Sequence, residues 1–156
     1  MRRTDRERDG AFAREVIDRS SHGVVSFCGE GGAPYCVPLS LVRIEDELYF
    51  HCAMEGKKLE LLRRNPRVCV CFVGRDEPAE ENAVFTTYFQ SAVVEGTAYE
   101  VTEPAQKVRA LRALCEKLTP GGMGRFERAL EMSLSGTAVW AIRMERLTGK
   151  EKARKG

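Results

Sequence analysis

The chain has 156 residues, 43% hydrophobic and 31% charged, an ordinary globular composition for one domain. Its 25 basic and 23 acidic residues leave a formal charge of +2, which removes the electrostatic case for nucleic acid. No apolar run reaches the ~18 residues a membrane span needs, and no apolar leader follows the charged start Met1-Arg2-Arg3-Thr4-Asp5-Arg6, so a cytoplasmic location is expected.

In chain order, Asp5 to Ser20 reads as a helix, with Phe12, Val16 and Ile17 as a narrow apolar stripe among charges. Gly23 to Cys28 reads as a strand, and Gly29-Glu30-Gly31-Gly32-Ala33-Pro34 as a turn. Tyr35 to Ile44 and Leu48 to Cys52 read as two further strands joined by Glu45-Asp46-Glu47, which makes a β-meander. Gly56 to Arg64 reads as a short helix stopped by Asn65-Pro66, because the residue before proline disfavours the helical region. In Arg67 to Val73, Val68, Val70 and Phe72 alternate with Cys69, Cys71 and Val73, the pattern of a strand covered on both faces. Gly74 to Asn82 reads as a loop, and Val84 to Thr102 as one bent strand or two, with Gly96 marking a bulge or close approach. Pro104 to Leu118 is an amphipathic helix carried by Val108, Leu111, Leu114, Cys115 and Leu118. A short helix over Phe126 to Met132 and a last strand over Thr137 to Met144 follow, and the basic cluster Lys150 to Lys155 reads as a frayed end. The expected fold is therefore α+β, a mainly antiparallel sheet that closes on itself, in a single domain over 1–156 with tails at about 1–4 and 150–156.

Six cysteines form no Cys-x-x-Cys pair, and with two histidines no metal site is expected. Each cysteine reads as a small buried hydrophobe; the alternative is a redox-active thiol at Cys52, beside His51. The segment Glu55-Gly56-Lys57-Lys58 is the informative one. Lysines at a helix start oppose the partial positive charge there, and a bound anion would resolve the conflict; two solvated surface lysines are the other reading. Pro38 marks an edge strand or one opened for a planar ligand, and Ser91 places a hydroxyl in an otherwise apolar strand. Tyr49 and His51 share one face of their strand; His51 alone reads as structural, and His22 as a cap or surface residue.

Three strings in this order and spacing carry a resemblance: Pro34-Tyr35-Cys36-Val37-Pro38-Leu39-Ser40, then Leu48-Tyr49-Phe50-His51-Cys52-Ala53-Met54-Glu55-Gly56-Lys57-Lys58, then Asn65-Pro66-Arg67-Val68-Cys69. The opening Met1-Arg2-Arg3 and the closing Leu147-Thr148-Gly149-Lys150 are similar too. Together they resemble the nitroimidazole-resistance branch of the pyridoxamine 5′-phosphate oxidase-like proteins. The resemblance implies a split β-barrel of about six strands with flanking helices, paired as a homodimer with FMN at the subunit interface. It implies that Val37, Pro38, Leu39 and Ser40 line the flavin, that Phe50 and His51 lie near its ring, and that Lys57 and Lys58 hold its phosphate. Ser91 falls where the oxidases carry a flavin-contacting glutamine. His51 falls on the substrate side, which makes it the candidate catalytic residue of a flavin-dependent oxidoreductase acting on a small electrophile such as a nitroaromatic. Members of the family also carry haem or a deazaflavin, so a non-catalytic flavin or haem module is the alternative. The Arg-x-Trp substrate segment of the true oxidases is missing; Trp140 sits instead in Thr137-Ala138-Val139-Trp140-Ala141-Ile142-Arg143.

Overall fold

The computed structural model describes residues 3–154. After a single-turn helix at Thr4–Arg6 come strand β1 (Glu7–Arg8) and helix α1 (Gly10–Arg19). The helix starts later than the expected Asp5, because the Asp9 carboxylate accepts the Phe12 N–H at 2.8 Å and caps it there. Strands β2 (Gly23–Cys28) and β3 (Pro34–Leu39) form a hairpin around a turn at Glu30–Gly32. Strands β4 (Val42–Ile44) and β5 (Glu47–Ala53) form a second hairpin. Helix α2 (Lys57–Arg64), the long strands β6 (Arg67–Glu81) and β7 (Val84–Glu100), helices α3 (Pro104–Leu118) and α4 (Phe126–Ser133), and strand β8 (Thr137–Lys152) complete the chain.

The strands join in one antiparallel sheet, in the order β3-β2-β6-β7-β8-β5-β4, with β1 added to the end of β8. The expected meander is corrected here. The segment Tyr35–Ile44 is two strands, broken at Ser40-Leu41, and they lie on opposite edges of the sheet. Yet Val25 and Phe27 from one end of this order share a core with Leu48 and Phe50 from the other. Side chains from both ends can meet only if the sheet curls round, so the fold is a split barrel with helices at its flanks. Phe72, Val94, Trp140 and Ile142 fill its interior, each buried apolar side chain contributing about 1.5–3 kcal/mol.

Four further expectations change. Among the described residues eight strands replace about six, and the predicted loop Gly74–Asn82 is strand as far as Glu81. Beyond Asp76, past the last pairing of β7 with β8, the hairpin of β6 and β7 extends as a two-stranded arm, closed by Asn82 and Ala83 at φ 51° and 62°. Tyr88 is buried at its base while Glu80, Glu81, Val84 and Phe85 are exposed, and Pro78, opposite Thr87, has no strand on its other side, an edge position that accepts proline. The basic end does not fray at 150: Lys150 lies opposite both Glu7 and Ser91, and Lys152 opposite Phe89. Residues 1–2 of the similar opening, and 155–156 of the expected tail, lie outside the described residues.

The cysteines are the fourth change. None is buried: Cys28, Cys36 and Cys71 are exposed, and Cys52, Cys69 and Cys115 are half-buried. Strand β6 has Val68, Val70 and Phe72 in the core, but its other face, with Cys71 and Val73, is open. Its two-sided apolar pattern is covered on one side by this chain. Pro38 fits the edge-strand reading, since β3 ends the sheet.

Gly96 marks the expected bulge, where the β7 register against β8 shifts, and a Cβ there would meet the Arg143 carbonyl oxygen at 2.0 Å. Gly96→Ala is expected to lower stability by about 1–3 kcal/mol through forced strand separation. A lower urea midpoint at unchanged slope is the expected reading; an unchanged midpoint would contradict the close approach.

Candidate functional site

Gly56 joins β5 to α2 at φ 127° and ψ 164°, a backbone conformation that favours glycine. It offers no side chain to cap the helix; its carbonyl accepts the Leu59 and Glu60 N–H at 2.9 and 3.2 Å, which leaves the Lys57 and Lys58 amides without a partner among the described residues. Two free N–H groups, the helix dipole and adjacent ammonium groups are features that favour an anion. The two lysines diverge, since consecutive helical residues point about 100° apart. The Lys57 ammonium lies 4.4 Å from the Tyr35 ring centroid, which ties it to β3. A cavity of about 420 Å³ opens beside it, lined by Pro34, Tyr35, Glu60, Leu61 and an Arg64 that is paired with Glu30. Burial pushes the Cys52 thiol's pKa up, and the Lys58 charge offsets part of the shift.

The residues expected around a planar ligand are distributed as follows. Along β3, Val37 and Leu39 pack against the core, while Pro38 and Ser40 are exposed. Phe50 is 1% exposed and sits wholly in the core, so its side chain is not available to a ligand. It takes the inward place that β5's alternation assigns it. Ser91 is on the open face of β7, opposite Val73 and Lys150. Pro38, Val24, Cys71 and Val93 run across the sheet in one row, and Ser91 is two residues along from Val93. Three strand spacings, about 14 Å, therefore separate Ser91's strand from β3 within one chain.

His51 is exposed and does share a face with Tyr49, away from the barrel interior. Cys52 points the opposite way, packing toward the core, and its raised pKa disfavours the thiolate that a redox role beside His51 would use. His22 is at the surface, its ring nitrogen 3.1 Å from Ser21 Oγ. Above His51 lies a second cleft of about 420 Å³, roofed by Leu111 and Leu118 of α3 and by Phe126 and Leu130 of α4. This cleft could not be read from periodicity. The stripe of α3 marks a packed face, yet only Ala110 and Leu114 are buried in it, and Leu111, Cys115 and Leu118 overhang the cleft.

A polar clamp holds the roof on the sheet. Glu47 accepts the Tyr49 hydroxyl at 2.6 Å and the Tyr99 hydroxyl at 2.7 Å, and Gln106 of α3 donates to the Tyr49 oxygen at 3.0 Å. Burial, with the Glu47 carboxylate beside it, pushes the Tyr49 phenol well above its ordinary pKa. Below the clamp, Val42, Tyr49, Val139 and Ala141 receive Ala110 and Leu114.

Solved structures share this architecture. A candidate 5-nitroimidazole antibiotic resistance protein from Bacteroides thetaiotaomicron superposes with a TM-score of 0.77 at 23% identity, over 91% of this chain and 83% of that one. A flavocytochrome from Azotobacter vinelandii gives a TM-score of 0.84 at 22% identity, over 99% of this chain and 72% of that one. An FAD- and haem-binding protein from Mycobacterium smegmatis gives 0.80 at 19% identity, over 94% and 72%. At these identities the likeness establishes the fold. The family follows from the sequence: residues 10–151 match the pyridoxamine 5′-phosphate oxidase family model, and the chain belongs to that family. No protein of curated function matches the sequence.

Removing Glu47 leaves two part-buried hydroxyls without their acceptor. Glu47→Ala is expected to cost about 1–3 kcal/mol and to speed hydrogen exchange at Ala110–Leu114 by at least about tenfold. Unchanged exchange along α3 would show that the roof is held by its apolar contacts alone.

Proposed function

We propose that this protein is a flavin-dependent oxidoreductase that binds FMN and reduces a small electrophile such as a nitroaromatic. The observation that carries the reading is the start of α2: an uncapped helix, a glycine at φ 127° and two lysines, one of them held against β3. This donor set suits a phosphate monoester, whose charge the dipole, the free amides and the ammonium groups all favour. When bound, the flavin supplies the electron transfer. The chain's own residues bind and orient: Lys57 and Lys58 hold the phosphate, the exposed edge at Pro38 and Ser40 flanks the ring, and His51 stands on the substrate side as a proton donor. The working unit in this reading is a cytoplasmic homodimer. Two observations support the pairing. Strand β6 has an apolar pattern on both faces, and its outer one is uncovered, with Val73 61% exposed and, on the neighbouring β2, Val24 38% exposed. Ser91 also stands three strands from β3, so it would serve the other subunit's flavin more readily than its own.

A second reading, haem, rests on one feature. The His51 ring makes no hydrogen bond among the described residues and opens into an apolar cleft, which suits an axial ligand.

The purified protein titrated with FMN separates these readings. A flavin band near ~450 nm and saturable binding support the first, and a Soret band near ~400 nm in the protein as isolated supports the second. Protein that is colourless and refuses FMN contradicts both. Lys57→Ala combined with Lys58→Ala is expected to weaken FMN binding at least about tenfold, roughly 1.4 kcal/mol; unchanged affinity in a fluorescence titration would remove the phosphate assignment. His51→Ala is expected to keep FMN and lose most turnover of a nitroimidazole with a nicotinamide donor. Equal turnover would return His51 to a structural role.

A further inference from the structure

We propose that the cleft roofed by α3 and α4 is the substrate compartment, and that it takes an uncharged aromatic molecule carrying one hydrogen-bond acceptor for His51. The proposal rests on the reading of His51 as the substrate-side residue, and it adds the chemical class that the compartment selects.

The lining decides the class. Leu111, Leu114, Leu118, Phe126 and Leu130 supply apolar walls, and among the described residues no lysine, arginine, aspartate or glutamate lines the cleft. A charged ligand would lose its hydration here and find no opposite charge in return. The lining hydroxyls are already engaged. Ser133 Oγ donates to the Ala129 carbonyl at 2.8 Å, Thr137 Oγ1 to the Ser133 carbonyl at 2.8 Å, and Thr119 Oγ1 to the Cys115 carbonyl at 3.2 Å. His51 is left as the strong side-chain donor without a partner, since a thiol such as that of Cys115 donates only weakly. A ligand that fills the cleft therefore does best with one acceptor, a nitro or carbonyl oxygen or a ring nitrogen, aimed at His51. A volume of about 420 Å³ lies toward the small end of ligand pockets and suits a molecule of one or two rings. A phosphate-bearing vitamin, the substrate after which the family is called, is excluded from this cleft by its charge. The basic groups that would receive a phosphate stand at the start of α2 and line a different cavity.

Cys115 reports occupancy directly, because its thiol lines the same cleft and is half-buried. The protein is treated with iodoacetamide, and modification of Cys115 is followed by peptide mass spectrometry in flavin-stripped and in FMN-saturated protein. Three probes of similar size are compared: acetophenone, toluene and benzoate. Acetophenone and toluene are expected to slow Cys115 modification, with acetophenone half-saturating at about fivefold lower concentration, the worth of one net hydrogen bond. Benzoate is expected to give no protection. His51→Ala should bring acetophenone down to the affinity of toluene and leave toluene unchanged, while His51→Asn, which keeps an N–H donor, should restore part of the preference. Protection by benzoate equal to that by acetophenone would overturn the charge rule. Equal loss of acetophenone and toluene binding in His51→Ala would overturn the donor assignment, and no protection by any probe would overturn the compartment itself. Because occupancy is read without turnover, a protein that refuses FMN but keeps this selectivity contradicts the flavin reading alone, and one that binds FMN but lacks the selectivity contradicts the compartment alone.

Discussion

The structure depends on one constraint: the inward-facing residues of a single sheet bury one another. Val25 and Phe27 near one edge meet Leu48 and Phe50 near the other, around Phe72 and Trp140. A flat sheet would leave both ends of that row in water. Curling removes the apolar surface from solvent, and once the sheet has curled, the pleat sends every alternate residue outward. The functional candidates are largely what that alternation leaves outside. His51 is exposed because Phe50 and Cys52 face inward, and Pro38 is exposed because Val37 and Leu39 do.

The outward residues then fall into separate environments. On the face formed by β4, β5 and β8, helix α3 is held down by Glu47, Tyr49, Tyr99 and Gln106, and with α4 it turns an exposed strand into the floor of an apolar cleft. At the end of β5 the chain turns through Gly56 into α2, whose start is polar and basic. The outer face of β3, β2 and β6 carries mainly thiols, valines and prolines, with Ser26 bonded to Cys36, and no helix covers it among the described residues. A basic helix start, an apolar cleft and an uncovered face thus belong to three different surfaces of one short chain.

Much of this was legible beforehand because it is local. The strand Gly23–Cys28 and the helix Pro104–Leu118 lie where period and punctuation put them, and Gly96 makes the close approach expected of a strand glycine. The errors share a cause, which is that neighbours were unknown. Arg75–Glu81 reads as loop because it is polar, yet pairing with β7 needs only backbone. The six cysteines read as buried because their neighbours in sequence are apolar, while alternation turns Cys36 and Cys71 outward. Phe50, adjacent to His51 in every sequence argument, occupies the opposite side of the sheet.

The sequence by itself determined most of the strands and helices, the family, and the basic helix start at Gly56-Lys57-Lys58 with its two diverging lysines, because propensity, turn residues and helix geometry act over a few positions. Tertiary structure alone decided that β3 and β4 lie on opposite edges, that Ser91 stands three strands from β3, and that His51 opens into a cleft whose lining holds no charged side chain among the described residues. Those depend on which distant residues bury one another, and no spacing along the chain encodes that.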